Sequence, residues 1–280
     1  MNSRDLTRLV RAPAAITIPG DILAGAAAGG RWPPARTIAS SACLYWAGMA
    51  LNDYADRDRD AVERPGRPIP SGSVRPTAAL AVAAGLTAAG LALASRQGRR
   101  SRATATALTA TIWAYDLVLK QTPAGPAAMA AARFLNVLSG SGAGGARHAL
   151  RPAVTVGLHT AAVTFLSRHE CGGAPAGVPA AVLASATAIA LGTFALAPAR
   201  TRAATGLCTV LYLMACSGEH VTAARRPTAA NIRCSVAAGI HALLPLQAAL
   251  TAQAGFPGRA AAIAAALPLA RWSGRKVSPT

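Results

Sequence analysis

The stretch RTIASSACLYWAGMALNDYADRDRD, residues 36–60, runs from an apolar segment straight into four aspartates, Asp53, Asp56, Asp58 and Asp60. Such clustering is conspicuous in a chain with ten acidic residues and a formal net charge of +18. If one helix continues through the stretch, Asp56 and Asp60 fall about 60° and about 20° from Asp53 around its axis. Three carboxylates then share a face, Asn52 sits at its edge, and Asp58 points away. Carboxylates so crowded repel one another and call for a cation. Mg2+ suits them, being hard and binding carboxylates together with phosphate oxygens and water. A solvated, charge-mixed helix end is the plain alternative, because Arg57 and Arg59 alternate with the acids. Against it stands the cost of acids beside a membrane helix, where ionisable groups are rare and usually functional.

Outward from this stretch the chain is apolar. It is 52% hydrophobic and 14% charged, where soluble domains carry about 25% charged residues. Aromatics make up only 4%, and the abundant Ala and Gly suit helices that pack closely in lipid. Apolar segments recur at about 12–30, 36–51, 76–95, 103–119, 125–143, 152–167, 176–197, 203–218, 230–250 and 256–270. Most are long enough to span a bilayer core. Pro33–Pro34, Gly98, Gly172–Gly173, Pro198 and Pro257 mark reversals. The expectation is an all-α, polytopic membrane bundle of nine or ten spans, with residues 1–280 as a single domain.

The arginines sit in short groups between apolar runs, as loops flanking membrane spans do. They form no stripe interleaved with aromatics, so nucleic acid is not an expected partner. Arg4, Arg8 and Arg11 precede the first apolar segment. That segment contains Asp21 and is followed by further spans, which argues for a retained first helix rather than a cleaved signal. The positive-inside rule puts the N-terminus and the basic 52–75 stretch in the cytoplasm. It leaves Arg96–Arg102 outside, against the rule. The five cysteines show no CxxC pair and read as small buried hydrophobes.

After the acidic stretch comes ERPGRPIPSG, residues 63–72. Its three prolines stiffen a loop that can hold Arg67 toward the acidic face, and an arginine fork pairs well with phosphate oxygens. Mg2+ ligands facing a fixed arginine suit a diphosphate.

At these residues the chain resembles the UbiA superfamily of intramembrane prenyltransferases. The match is Asn52-Asp53-x-x-Asp56-x-x-x-Asp60 followed by Arg67-Pro68-x-Pro70-Ser71-Gly72, with Tyr115-Asp116-Leu117-Val118-Leu119-Lys120 at the end of the fourth span. The resemblance implies nine helices around a central cavity that binds an isoprenyl diphosphate through Mg2+. It implies that Asp53, Asp56 and Asp60 hold metal and carry catalysis, supported by Asn52, and that Arg67 and Lys120 bind the diphosphate. A second acidic motif is usual after the sixth span. Here that place reads Ser167-Arg168-His169-Glu170-Cys171-Gly172-Gly173. Glu170 is the candidate metal ligand there, and Arg168 is a further candidate for the diphosphate.

The implied reaction is Mg2+-dependent transfer of the isoprenyl group to an unidentified acceptor within the membrane. The implied setting is a bacterial-type plasma membrane, spanned several times, with membrane lipids as neighbours and the site on the cytoplasmic side. A CDP-alcohol phosphotransferase is a second possibility, but the Asp-Gly-x-x-Ala-Arg string of that class does not occur. A non-catalytic transporter or lipid-binding protein is a third, kept open by the reduced second motif. Gly140-x-Gly142-x-x-Gly145 follows no strand and reads as a helix end built for close packing rather than a dinucleotide loop. His159 and His241 lie alone in apolar runs and read as structural. Trp32, Trp113 and Trp272 read as membrane-interface anchors.

Overall fold

The computed structural model describes residues 3–10, 16–142 and 144–276, and among these there is no strand. Twelve helices follow one another: α1 (Ser3–Leu9), α2 (Ile18–Ala28), α3 (Ala35–Ala55), α4 (Arg57–Glu63), α5 (Pro76–Ser95), α6 (Arg99–Ala114), α7 (Gly125–Gly140), α8 (Ala146–Ser167), α9 (Gly177–Ala195), α10 (Arg202–Arg225), α11 (Ala229–Gln253) and α12 (Pro257–Lys276). A π-helical turn, Tyr115–Leu119, extends α6. The ten predicted apolar segments correspond to the ten longer helices. By length and composition alone, α5, α8, α9 and α11 can each cross a membrane. The others are shorter or carry polar and charged residues at their ends, so the helices by themselves do not yield a count of nine spans. Residues 12–15 of the first predicted segment lie outside the described residues. Arg4 and Arg8 lie on the separate α1, Arg11 falls outside the described residues, and α2 begins at Ile18.

Successive long helices pack as antiparallel neighbours, α3 on α5, α7 on α8 and α10 on α11, while α11 also meets α2 and α8 to close the bundle. The centre is α11. From Ala242 to Ala252 every residue is buried, because this helix is surrounded on all sides rather than on one stripe. Outward-facing side chains are large and apolar instead: Leu158, Phe165, Leu191, Leu207 and Met214 are exposed. An apolar outside suits hydrocarbon, where Leu is as well solvated as in a core.

Small residues set the helix spacing. A Cβ on Gly140 would strike the backbone carbonyl of Ile22, and one on Gly25 would strike the carbonyl of Val137. The glycine-rich end of α7 therefore serves the close approach of α2 to α7, as its reading as a packing element predicts.

The alternation of chain direction sorts the loops into two ends. Those holding residues 56–75, 120–124, 168–176 and 226–228 share one end, here the site end. Those at 29–34, 96–98, 141–145, 196–201 and 254–256 share the far end. Trp272 lies near the site end and Trp32 at the far end, and both are exposed, as interface residues are. Trp113 is half-buried and donates to Thr87 Oγ1 at 3.2 Å. Of the cysteines, Cys208 and Cys216 are buried, but Cys171 and Cys234 are exposed, so the reading as buried hydrophobes holds for only part of the set.

Candidate active site

The acidic stretch does not continue as one straight helix. α3 ends at Ala55, Asp56 takes φ −91° and ψ 1°, and α4 restarts at Arg57. Backbone bonds from Asp56 N to Asn52 O and from Asp60 N to Asp56 O keep the helical spacing across the break. The predicted sidedness survives: Asp53, Asp56 and Asp60 are buried, whereas the Asp58 side chain is 87% exposed.

The small change of direction divides the three buried carboxylates by partner. Arg67 Nη1 reaches Asp60 Oδ2 at 2.6 Å and Asp53 Oδ1 at 3.4 Å. The proline-rich loop thus does hold Arg67 against the acids, where it ties α3 to α4. Asp56 has other partners: Lys120 Nζ and Arg59 Nη2 each lie 2.7 Å from its Oδ1. Because basic groups separate the acids, no group of three His, Cys, Asp or Glu side chains among the described residues is arranged as a ready metal centre.

These groups border a cavity of about 570 Å3 that runs from the site end into the bundle. Asn52, Asp56, Arg67, Lys120, Arg168 and Glu170 line it, while Asp53 and Asp60 stand behind Arg67. Tyr115 and Asp116 are among the cavity residues to which the sequence reading gave no role. The π-helical turn delivers Tyr115 and Asp116 to the wall, and Asn52 Nδ2 donates to Asp116 Oδ1 at 3.0 Å. An inserted π turn commonly marks a functional site. The signal was available, since Asp116 is an intramembrane acid inside the Tyr115–Lys120 motif.

The second stretch folds over the opposite side. Arg168 Nη1 donates to the Thr122 carbonyl at 2.6 Å, which fastens the α8–α9 loop to the turn that carries Lys120. Arg233 on α11 donates to the Glu170 carbonyl at 2.8 Å. The Glu170 side chain faces the cavity, buried, and its Oε1 has no hydrogen-bond partner. Burial pushes this carboxyl above the usual carboxylate range, against the opposing charges of Arg64 and Arg233. A buried carboxylate oxygen left unbonded is costly, and a cation or a donor from a ligand would relieve it.

Deeper in, the cavity passes Tyr45, Arg133, His159 and Leu243. Here the fold buries an ion-pair network. Asp21 on α2 accepts from Arg133 Nη2 at 3.0 Å, Asn136 Nδ2 at 2.9 Å and Gln247 Nε2 at 2.7 Å. Arg133 Nε also lies 3.0 Å from Asp21 Oδ2. His159 keeps the expected structural character, with Nδ1 2.9 Å from the Tyr212 hydroxyl and Nε2 2.9 Å from the Gly239 carbonyl. It nonetheless forms part of the wall.

A cavity with acids and bases at one mouth and apolar side chains such as Ile112, Val163 and Leu243 along part of its wall fits an amphiphile with a strongly anionic head. Comparison with known proteins identifies the family. Residues 14–179 match the UbiA prenyltransferase family, a segment that includes the acidic stretch, the π turn and Glu170. A digeranylgeranylglyceryl phosphate synthase of Methanopyrus kandleri is 38% identical over 106 residues, 38% of each chain. One from Ignicoccus hospitalis is 36% identical over 121 residues, 42% of this chain and 40% of the relative. These matches span less than half the length of those relatives. Among solved structures, a UbiA homolog from Aeropyrum pernix K1 superposes with a TM-score of 0.65 at 19% identity, covering 84% of this chain and 96% of that one. A UbiA homolog from Archaeoglobus fulgidus, bound to GPP and Mg2+, gives 0.53 at 13% identity, covering 93% and 99%. The same helical fold therefore extends well past the segment matched in sequence, and the motif residues gather at the mouth of its cavity: this chain belongs to the UbiA prenyltransferase family.

Proposed function

We propose that the protein transfers an isoprenyl group from a prenyl diphosphate to a membrane-embedded acceptor in a Mg2+-dependent reaction. The observation that carries this reading is the composition of one cavity mouth. It offers oxygen ligands (Asn52, Asp56, Asp116 and Glu170) and phosphate-binding cations (Arg67, Lys120 and Arg168) around a single space. Hard oxygen donors fit Mg2+, and the unbonded Oε1 of Glu170 supports a cation on that side. Bound there, Mg2+ supplies Lewis-acid stabilisation of the departing diphosphate.

The chain's own residues do the rest. Lys120 and Asp56 neutralise each other across 2.7 Å. With a diphosphate and Mg2+ bound, Lys120 would hold a phosphate oxygen and Asp56 would be a ligand to the metal. Fixed cations placed where negative charge develops lower the barrier to breaking the allylic C–O bond. Asp53 and Asp60, paired with Arg67, hold α3 and α4 at the angle that presents Asp56 and Asn52. The isoprenyl tail lies along the apolar wall that includes Ile112, Val163 and Leu243, which shelters the allylic cation from water until the acceptor captures it. The orientation that fits best has the site end facing the cytoplasm, in a multi-pass membrane protein.

The test is radiolabelled prenyl transfer by the purified full chain reconstituted in lipid, with extracted membrane lipids as acceptors. Asp53→Asn and Asp56→Asn variants accompany the wild type. Full activity in both variants would remove the proposed role of the acidic stretch. Mg2+-dependent binding of a non-hydrolysable prenyl diphosphate without turnover on any acceptor would replace the enzyme with a lipid-binding protein.

A further inference from the structure

Well below the mouth, one hydroxyl on the cavity wall is left without a bond. Tyr45 lies on α3 seven residues before Asn52. That spacing puts it on the same helix face and about 10 Å deeper, with Gly48 and Met49 lining the wall between the two. The Tyr45 hydroxyl is buried and has no hydrogen-bond partner. The polar group it faces is Arg133, whose guanidinium carbon lies 5.8 Å from the centre of the Tyr45 ring. A guanidinium donates and never accepts, so whatever Arg133 offers the phenol oxygen, the phenol proton lacks an acceptor.

Other polar groups on this part of the wall are committed elsewhere. His159 uses both ring nitrogens, on the Tyr212 hydroxyl and the Gly239 carbonyl. Thr160 Oγ1 donates to the Val156 carbonyl at 2.8 Å. Arg133 is turned to Asp21 and reaches Thr17 Oγ1 at 3.4 Å. Asp21 matches the charge of Arg133, so the pair leaves no excess charge at this depth. A buried donor without an acceptor is costly in an apolar surrounding. Tyr45 borders the cavity, where a bound molecule can supply the missing oxygen.

Two molecules share the cavity during prenyl transfer, a step that rests on the reaction proposed above. The isoprenyl tail is hydrocarbon. It gains nothing from a phenol proton and suits the wall of Ile112, Val163 and Leu243. The acceptor is the occupant that can bring an oxygen to Tyr45.

We propose that Tyr45 is a specificity-determining contact for the acceptor, donating a hydrogen bond to an uncharged carbonyl, ether or hydroxyl oxygen that the acceptor carries below its reacting end. The balanced Arg133–Asp21 pair offers no free positive charge to a carboxylate or phosphate there, so the part of the acceptor at this depth is neutral.

Fluorine NMR of the full chain in detergent, with fluorotyrosine at its four tyrosines, tests this without turnover. The signal missing from Y45F is that of Tyr45. Three probes of equal chain length are added in turn: dodecane, 2-dodecanone and dodecanoate. The ketone should move the Tyr45 signal at lower concentration than either of the others. Equal responses to ketone and dodecane, or no response to any probe, overturn the proposal, and a stronger response to dodecanoate overturns the neutral assignment. In the transfer assay with extracted membrane lipids, Y45F should raise the half-saturating amount of extract about tenfold, the scale of one hydrogen bond. Half-saturation by the prenyl diphosphate should stay unchanged. An unchanged requirement for extract overturns the acceptor role. A wild type that transfers nothing defeats the enzyme reading, while the NMR arm still decides the subsite. Y45F should also survive heating at least as long as the wild type, since it loses only an unbonded hydroxyl; a shorter half-life makes Tyr45 structural and overturns the proposal.

Discussion

Removing Arg133 should be among the most damaging single changes in the bundle interior, and removing Asp21 along with it should repair most of the damage. Asp21 is fully buried, and Arg133 reaches it twice, by a hydrogen bond from Nη2 and an ion-pair contact from Nε, each at 3.0 Å. In Arg133→Met the carboxylate keeps only its two amide donors, Asn136 and Gln247. Breaking a buried pair by deleting one partner costs about 3–5 kcal/mol, chiefly because the remaining charge has no compensation. Asp21→Asn should cost a similar amount by stranding the guanidinium. The double variant, which buries no net charge, should lie within about 1–2 kcal/mol of the wild type, giving a coupling well above the additive expectation. If the loss falls on the unfolding rate, about 3 kcal/mol amounts to roughly a hundredfold faster thermal inactivation. The assay is the half-life of monodisperse protein at fixed temperature, read by size exclusion. A rate is the appropriate quantity for a membrane protein that does not refold on cooling. Single variants with wild-type half-lives, or a double variant worse than both singles, would refute the view that this pair closes the interior of the bundle.

Asp56→Asn should lower prenyl transfer by at least about a hundredfold, the scale of losing one charge-stabilising group at a reacting centre. Asp58→Asn, altering a solvent-facing side chain, should match the wild type in the same assay. Glu170→Gln should weaken Mg2+-dependent binding of a prenyl diphosphate analogue by about 10–100-fold, measured by calorimetry at several Mg2+ concentrations; unchanged Mg2+ dependence would take Glu170 out of the metal site. Gly140→Ala should destabilise the bundle by about 1–3 kcal/mol, because its Cβ meets the Ile22 backbone rather than a movable side chain. A thermal half-life like the wild type's would show that α2 can yield.

Much of the architecture was written in the order of residues. Ala- and Leu-rich runs broken by Pro and Gly can bury themselves only as helices in lipid, since hydrocarbon satisfies no backbone group, and the described helices follow those runs closely. The burial of Asp53, Asp56 and Asp60 and the exposure of Asp58 were equally legible, being a matter of 100° per residue along a local segment. Site residues brought together by different elements were legible only where a motif named them. Lys120 and Arg67 were expected at the acids and lie there, but how they divide the carboxylates depends on the break at Asp56, which local periodicity does not encode. Asp116 reached the cavity through a π turn whose extra residue rotates the helix end. Arg133, Asn136 and Gln247 gave no warning that they would converge on Asp21, because they come from two helices more than a hundred residues apart. A buried charge is tolerable only where several donors meet it in three dimensions, and no pattern along the chain fixes such a meeting.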